Sequence, residues 1–334
     1  MRTIRWGMIG CGDVTEVKSG PAFQKARNSA LTAVMRRHGD LARDYAARHR
    51  IPAWYDSAEA LIHDPNVDAV YIATPPAYHK TYTLLAAQAQ KPVYVEKPMA
   101  LNARECLEMI EACKEAAVPL FVAYYRRALP RFRKVKELVE SGALGAVRFI
   151  IITLYQPLPQ NLDPADLPWR LVPEIAGGGV FVDLACHTLD FLDFVFGPIR
   201  SITGIAVNQA GRYEAEDAVC GTFLFESGIV CSGTWCFSAF SKSDRNEIVG
   251  DKGKLTFSTF GTEPIQLEFS GGISEFPAET PQHIQQPLIQ SIVDELNGLG
   301  QCPSRGESAL RTNRVMDELL RNFYARPQDD KGDH

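Results

Sequence analysis

The stretch Arg5-Trp6-Gly7-Met8-Ile9-Gly10-Cys11-Gly12 decides the fold of the first part of the chain. It is a short apolar strand that ends in two glycines, and a helix is expected after it. Glycines at such a turn permit a tight bend and let the backbone approach a pyrophosphate. The third position of the usual glycine pattern is Thr15, so a plain strand-to-helix turn is the other interpretation. The predicted contact residues are Gly10, Cys11, Gly12, Asp13 and Val14.

Apolar strands and helices alternate downstream of this loop. Strands are predicted over residues 31–35, 67–74, 91–95 and 120–123, and helices over residues 40–49, 79–89 and 103–117. Strict alternation indicates right-handed crossovers and a parallel sheet that is covered on both faces. We therefore expect an α/β, doubly wound, dinucleotide-binding domain over residues 1–123.

From residue 148 the pattern changes to apolar runs separated by short turns. Strands are predicted over residues 148–154, 202–206, 218–225, 229–237, 247–249 and 254–257. Turns such as Glu226-Ser227-Gly228 suit antiparallel hairpins better than crossovers. We expect a second, α+β domain over residues 124–334 with an open-faced, mostly antiparallel sheet. Helices over residues 288–298 and 308–325 are expected to return to the first domain.

Composition excludes several classes of protein. The chain has 334 residues, 46% of them hydrophobic and 22% charged, which suits two globular domains and not a fibrous or disordered chain. The net charge of −5 gives no general attraction for nucleic acid or an anionic membrane. No secretion signal, membrane span or paired cysteine spacing is recognisable. We expect a cytoplasmic protein with reduced core cysteines.

Arg36 and Arg37 follow the second predicted strand. In a dinucleotide-binding domain this position contacts the adenosine ribose, and an acidic side chain there favours NAD. A guanidinium suits the 2′-phosphate of NADP instead. This position predicts NADP(H) as the preferred cofactor, with NAD(H) as the alternative. A solvated surface turn is the other interpretation of the two arginines.

Four further motifs occur in a characteristic order. They are Thr74-Pro75-Pro76-Ala77-Tyr78-His79, Glu96-Lys97-Pro98, Tyr124-Tyr125-Arg126-Arg127, and Gly177-Gly178-Gly179 followed by Asp183, His187 and Asp190. From Gly10 to the C-terminal helix, this set resembles the Gfo/Idh/MocA oxidoreductases. The chain departs from many members at Pro76, where they have Asn, and at Ala185, where they have Gly.

The resemblance implies a Rossmann domain that binds NAD(H) or NADP(H) and an open-faced sheet domain that carries the substrate site. It places Lys97, Asp183 and His187 at the reaction centre, and it implies that the bond before Pro98 is often cis. Further cofactor contacts are implied at Thr74, Pro75, His79, Glu96 and Lys97.

The residue types suit this chemistry. Asp183 and His187 are four residues apart and share one face of a helix. Oxidation of a secondary alcohol removes a hydroxyl proton while hydride leaves the carbon, and histidine, with an ordinary pKa of about 6.5, suits the proton transfer. Lys97 would stabilise the developing alkoxide, and Asp183 would orient the imidazole or accept a hydrogen bond from a substrate hydroxyl. The other interpretation is a core histidine and a surface lysine.

Substrate contacts are predicted at Trp169 and Arg170, just before the glycines, and at Tyr125 and Arg126, where the last parallel strand ends. Trp169 and Arg170 serve equally well as a structural cap on the glycine loop. No metal is expected, because no distal His or Cys pair accompanies Asp190.

The leading hypothesis is an NADP-preferring dehydrogenase or reductase that acts on a CH–OH group of a sugar, cyclitol or related polyhydroxy compound. Two alternatives stay open: a non-catalytic NAD(P)-binding regulator, and a redox-assisted glycosidase that retains its cofactor. The run 229–237 is too apolar for an exposed strand, so a homodimer or homotetramer through the open sheet is expected. Its aromatic residues, Trp235 and Phe237, are expected in the core or the subunit interface. No nucleic acid or membrane partner is expected.

Overall fold

The computed structural model describes residues 1–277 and 279–325 and divides them into two compact units. The first unit contains residues 1–137 and 279–313, and the second contains residues 138–277 and 314–325. The division does not fall at residue 123, because the turn Tyr125–Ala128 packs against the helix Gln286–Leu296 of the first unit. The domain bounds set from the sequence stay a prediction, and their last segment, 326–334, lies outside the described residues.

The first unit is built on a six-stranded parallel sheet, which confirms the predicted doubly wound fold. Its strands run in the order β3-β2-β1-β4-β5-β6, with every neighbouring pair parallel. The strands are β1 Ile4–Ile9, β2 Ser29–Met35, β3 Ala53–Tyr55, β4 Ala69–Ile72, β5 Val93–Val95 and β6 Leu120–Val122. The central strand β4 is buried throughout, as expected where helices cover both faces.

Helices connect these strands. They are α1 Gly20–Lys25, α2 Gly39–His49, α3 Ala58–His63, α4 His79–Gln88 and α5 Ala103–Glu115, and α6 Pro130–Glu140 follows β6. Two begin at side-chain caps: Ser57 Oγ accepts the Ala60 N–H at 3.3 Å, and Asn102 Oδ1 accepts the Glu105 N–H at 3.0 Å. The carboxyl ends of β1, β4 and β5 carry the predicted cofactor motifs.

An eight-stranded sheet forms the second unit, in the order β14-β13-β12-β11-β7-β10-β9-β8. Only the pairing of β7 with β10 is parallel among the pairs of this sheet, which confirms the predicted, mostly antiparallel architecture. The strands are β7 Val147–Tyr155, β8 Ile199–Val207, β9 Ala218–Phe225, β10 Val230–Cys236, β11 Ser243–Gly250, β12 Gly253–Phe257, β13 Ile265–Phe269 and β14 Gly272–Phe276.

Two helices, α7 Pro173–Ala176 and α8 Val180–Phe196, precede β8 in the chain, and α8 packs on β9 and β10. Phe181 of α8 meets Trp235 of β10 edge-on, with ring centres 5.1 Å apart. Trp235 and Phe237 are buried in this core. Within the run 229–237, Cys231, Trp235 and Phe237 are buried, whereas Val230, Ser232 and Thr234 are exposed.

Helices α9 Gln286–Leu296 and α10 Gly306–Tyr324 complete the described chain. Residues 314–324 of α10 belong to the second unit. No helix within residues 1–277 and 279–325 combines the length and apolarity needed to cross a membrane. All eight cysteines are free, and the expectation of core positions is wrong for Cys220, which is exposed.

Candidate active site

The loop after β1 has the geometry of a phosphate loop. Gly10 has a φ of +90°, and a Cβ there would lie 2.9 Å from Thr74 Cγ2 and 3.0 Å from the Thr74 N atom. A side chain at Gly10 would therefore collide with the end of β4. A Cβ at Gly12 would meet nothing nearer than the Gly10 carbonyl oxygen at 3.9 Å, which leaves open space beside this backbone for a ligand.

The segment after the loop differs from the expected α-helix, because residues Thr15–Ser19 form a π-helical turn that leads into α1. Thr15 is buried, and its carbonyl oxygen accepts a 2.8 Å hydrogen bond from the Tyr45 hydroxyl of α2. A Cβ at Gly20 would lie 2.3 Å from the Thr15 oxygen and 2.4 Å from the Tyr45 hydroxyl. Gly20 thus allows the close helix packing that a third glycine provides in the usual pattern.

The two arginines after β2 are exposed and lie near the loop. The Arg36 guanidinium reaches the Cys11 carbonyl oxygen at 3.5 Å. The Arg37 guanidinium lies over the Tyr78 ring, 5.3 Å from its centre. One guanidinium therefore borders the phosphate loop, and the other stacks on an aromatic face.

The other predicted loop residues differ in exposure. Asp13 is exposed, Val14 is half-buried, and Cys11 is buried, which raises the pKa of its thiol to about 11. Thr74 and Pro75, at the end of β4, are half-buried.

His79 was expected to contact the cofactor, but the structure buries it completely. Its Nε2 lies 2.7 Å from the Thr74 carbonyl oxygen, and its Nδ1 lies 3.0 Å from the Pro98 carbonyl oxygen. Burial lowers the pKa of this imidazole. The ring therefore connects the loops that follow β4 and β5 and presents no surface to a ligand.

Glu96 also points inward. Its Oε1 accepts 2.6 Å hydrogen bonds from the Tyr71 hydroxyl and from Gln285 Nε2. The Tyr94 hydroxyl donates to Gln285 Oε1 at 2.8 Å. Both the oxygen and the nitrogen of the Gln285 side-chain amide are therefore hydrogen-bonded. This buried cluster fixes the residue that precedes Lys97. Lys97 itself is half-buried, and its bond to Pro98 is cis.

Tyr125 and Arg126 are predicted to contact substrate, and the structure buries both residues. The Arg126 guanidinium lies 5.1 Å from the centre of the Tyr125 ring and 5.6 Å from that of Phe132. The guanidinium therefore packs on two aromatic rings, and its contact with substrate stays a prediction.

In the second unit, the glycine triplet begins helix α8. A Cβ at Gly179 would lie 2.7 Å from the Glu216 carbonyl oxygen, so only glycine fits there. Glu216 Oε1 accepts the Gly179 N–H at 2.8 Å, and its Oε2 accepts the Tyr324 hydroxyl at 2.6 Å. Burial raises the pKa of this carboxyl to about 7. Glu216 and Tyr324 thus fix the start of the helix that carries the predicted catalytic pair.

Asp183 and His187 lie one turn apart on α8, as the four-residue spacing predicts. Arg170 Nε lies 3.2 Å from Asp183 Oδ2, and its guanidinium is 4.3 Å from the centre of the Trp169 ring. Arg170 therefore neutralises and orients Asp183 while it stacks on Trp169. Lys97 belongs to the first unit, whereas Asp183 and His187 belong to the second.

His187 is 3% exposed and meets the Phe260 ring edge-on, with ring centres 5.7 Å apart. Phe260 lies in the loop between β12 and β13. Within residues 1–277 and 279–325, no cluster of three or more His, Cys, Asp or Glu side chains is arranged to hold a metal ion.

Sequence reasoning missed Gln285, Glu216 and Phe260. Glu216 carried a weak signal, because two consecutive acidic residues, Glu216 and Asp217, stand directly before the apolar strand β9. Gln285 and Phe260 carried none, because neither belongs to a motif.

Two family matches cover most of the chain. Residues 4–124 match the oxidoreductase family with an NAD-binding Rossmann fold, and residues 132–256 match the GFO/IDH/MocA C-terminal domain. An oxidoreductase of Formosa agariphila is 42% identical over 317 residues, which cover 94% of this chain and 97% of that protein. The 1,5-anhydro-D-fructose reductase of Ensifer adhaerens is 28% identical over 312 residues, 92% of each chain.

A solved structure shares the whole architecture. The aldose-aldose oxidoreductase from Caulobacter crescentus, complexed with glycerol, superposes with a TM-score of 0.85 at 25% identity. The superposition covers 96% of this chain and 97% of that one.

Proposed function

The chain belongs to the Gfo/Idh/MocA oxidoreductases, and we propose that it is an NADP-preferring dehydrogenase or reductase of polyhydroxy compounds. The observation that carries this proposal is the arrangement on α8, where Asp183 is held by Arg170 one turn before His187. A carboxylate that is held by a guanidinium one helical turn before a buried imidazole suits a proton-transfer site.

The residues of the first unit fit a nicotinamide dinucleotide. Open space beside Gly12 suits the close approach of a pyrophosphate, and Arg36 offers a guanidinium next to the same loop. A charged hydrogen bond to a 2′-phosphate is worth about 1.5 to 3 kcal/mol, which corresponds to roughly 10- to 100-fold preference for NADP(H). Arg37 adds positive charge from its place on Tyr78.

The chemistry assigned to the chain is hydride transfer coupled to proton transfer. The bound nicotinamide supplies or accepts the hydride. In the oxidising direction, His187 takes the hydroxyl proton as the C–H bond gives up its electron pair, and Lys97 stabilises the oxygen that loses the proton. Asp183 orients the imidazole or accepts a hydrogen bond from a neighbouring hydroxyl. The reverse sequence reduces a carbonyl group.

The substrate class rests on relatives. A 1,5-anhydro-D-fructose reductase and an aldose-aldose oxidoreductase both act on polyhydroxy compounds by name. We assign the same class, sugars, cyclitols and related compounds, to this chain. Trp169 and Arg170 border this proposed site, with Arg170 acting through Asp183.

The test is a panel of sugars, inositols and diols assayed with NADP⁺ and NAD⁺ at 340 nm. We expect turnover with NADP⁺, and we expect His187→Ala and Lys97→Ala each to lower kcat by about 10²-fold or more at unchanged cofactor Kd. Wild-type turnover in both variants would contradict the assigned roles. Cofactor binding without turnover on the panel would favour a regulator, and bond cleavage without net absorbance change would favour a glycosidase.

We also propose that the open sheet of the second unit pairs with a second copy of the chain. The outward residues Phe149, Val230 and Ile205 are exposed, although the rest of the outward face of β10 is polar. A groove of about 370 Å³ runs over β7, β8, β9 and β10 and includes Phe149 and Val230 in its lining. Exposed apolar groups beside a groove favour association.

A further inference from the structure

We infer that Phe260 is a specificity-determining residue whose ring contacts the carbon face of a cyclic polyhydroxy substrate next to His187. This inference rests on the proposed function. The preferred substrate is a ring rather than an open chain, and Phe260 is the residue that selects it.

The Phe260 loop is firmly anchored. The Asp244 carboxylate accepts hydrogen bonds from three consecutive backbone N–H groups, those of Thr259 at 3.0 Å, Phe260 at 2.6 Å and Gly261 at 3.3 Å. The hydroxyl oxygens of Thr259 and Thr188 are 2.9 Å apart, and Thr188 directly follows the predicted catalytic histidine. The loop is therefore tied to α8 at the position of His187, and little conformational entropy remains to be lost when a ligand binds.

The aromatic ring lies at the boundary between His187 and solvent. Its edge-on contact covers part of an imidazole that is only 3% exposed, whereas Phe260 keeps 38% of its own surface exposed. A substrate that approaches His187 on this side must touch the Phe260 ring. Large exposed aromatic side chains that are rigidly held beside a buried titratable group are suited to binding ligands.

The chemistry of the exposed ring favours a cyclic substrate. A pyranose or cyclitol presents C–H groups on a flat face and hydroxyls around its edge. The flat face can lie on an aromatic ring while an edge hydroxyl reaches the imidazole. An open-chain polyol has no such continuous face, so it gains less from the same contact. Aromatic contacts of this size correspond to about three- to tenfold in affinity.

The experiment compares Phe260→Ala and Phe260→Tyr with Phe269→Ala. Phe269 is a matched control, since it lies on β13 of the same unit and is 41% exposed. Calorimetry on the full chain saturated with NADP⁺ measures the Kd of glucose, myo-inositol and the open-chain polyol sorbitol. We expect Phe260→Ala to weaken the cyclic ligands about three- to tenfold and sorbitol less than twofold. Phe260→Tyr and Phe269→Ala should stay within about twofold of the wild type.

A second readout is independent of turnover. The rate at which diethyl pyrocarbonate modifies His187, measured by mass spectrometry, should rise in Phe260→Ala and not in Phe269→Ala, because the ring covers the imidazole. Equal weakening of cyclic and open-chain ligands, or unchanged Kd values, would overturn the inference even if the wild type turns over. Selective weakening in a protein that transfers no hydride would uphold Phe260 as a ring contact and refute the proposed function.

Discussion

The buried carboxyl of Glu216 gives a stability prediction with a defined sign. Burial raises its pKa from 4.5 to about 7, although its two hydrogen-bond donors oppose the shift. The folded protein therefore keeps this proton up to about pH 7, whereas the unfolded chain releases it near pH 4.5. The stability contributed by the protonated carboxyl is complete below pH 4.5 and is lost as the pH rises through 7.

The size of the effect follows from the difference between the pKa of Glu216 in the unfolded chain, 4.5, and in the folded protein, about 7. Each pKa unit corresponds to about 1.4 kcal/mol, so the loss amounts to about 3 kcal/mol. Glu216→Gln removes the titration but keeps a group that can accept from the Gly179 N–H and donate to the Tyr324 oxygen. The free energy of unfolding of the variant, taken relative to that of the wild type, should therefore increase by most of this amount between pH 5 and pH 8.

The assay is urea denaturation of both proteins at intervals from pH 5 to pH 9. Glu214→Gln is a matched control, because Glu214 is exposed two residues earlier and its carboxylate meets water in the folded and unfolded chains. The difference in free energy of unfolding between Glu214→Gln and the wild type should stay flat. A flat difference for Glu216→Gln as well, or one of opposite sign, would refute the assignment of a buried, proton-retaining carboxyl.

Further predictions concern the cofactor site and the assembly. NADPH should bind at least about tenfold more tightly than NADH in fluorescence titrations. Arg36→Ala should reduce this difference in affinity by weakening the binding of NADPH. Arg43→Ala, on the exposed side of α2, should leave the difference unchanged. Gln285→Leu should lower the free energy of unfolding by about 1 to 3 kcal/mol, because Glu96 loses a buried donor; a value within error of the wild type would contradict the hydrogen-bond cluster. Light scattering should give a mass at least twice 37.0 kDa, and a monomer mass would exclude the sheet-mediated dimer.

The fold was accessible from the sequence because its signals are local. Alternating apolar strands and helices predict the parallel sheet, and the short Gly-containing turns predict the antiparallel one. The sequence analysis does not predict β3, β13 or β14, because β3 is only three residues long and the outward residues of β13 and β14 dilute the apolar pattern. The bounds of most other elements differ from the predicted ones by a few residues, as expected where chain ends fray.

The candidate site was predictable only in part. The sequence predicts the turn at Gly10 and the shared helix face of Asp183 and His187, because both features depend on residues that are neighbours in the chain. Tertiary packing decides whether a polar side chain faces the interior or a ligand site, and the local sequence does not show this. The sequence therefore predicts a cofactor contact for His79, whereas the structure places His79 in the interior. Gln285 reaches Glu96 from 189 positions away, a contact that no local pattern encodes.

The discontinuous first unit has a consequence for synthesis on the ribosome. Gln285 and the Gln286–Leu296 helix belong to the same compact unit as residues 1–137, yet all of residues 138–277 are translated between them. At about 5 to 20 residues per second, that interval lasts on the order of 10 s. During this time the nascent N-terminal segment exposes the apolar surface that α9 later covers and leaves Glu96 without one of its donors. The nascent chain should therefore present a binding surface for chaperones until Gln285 and α9 emerge.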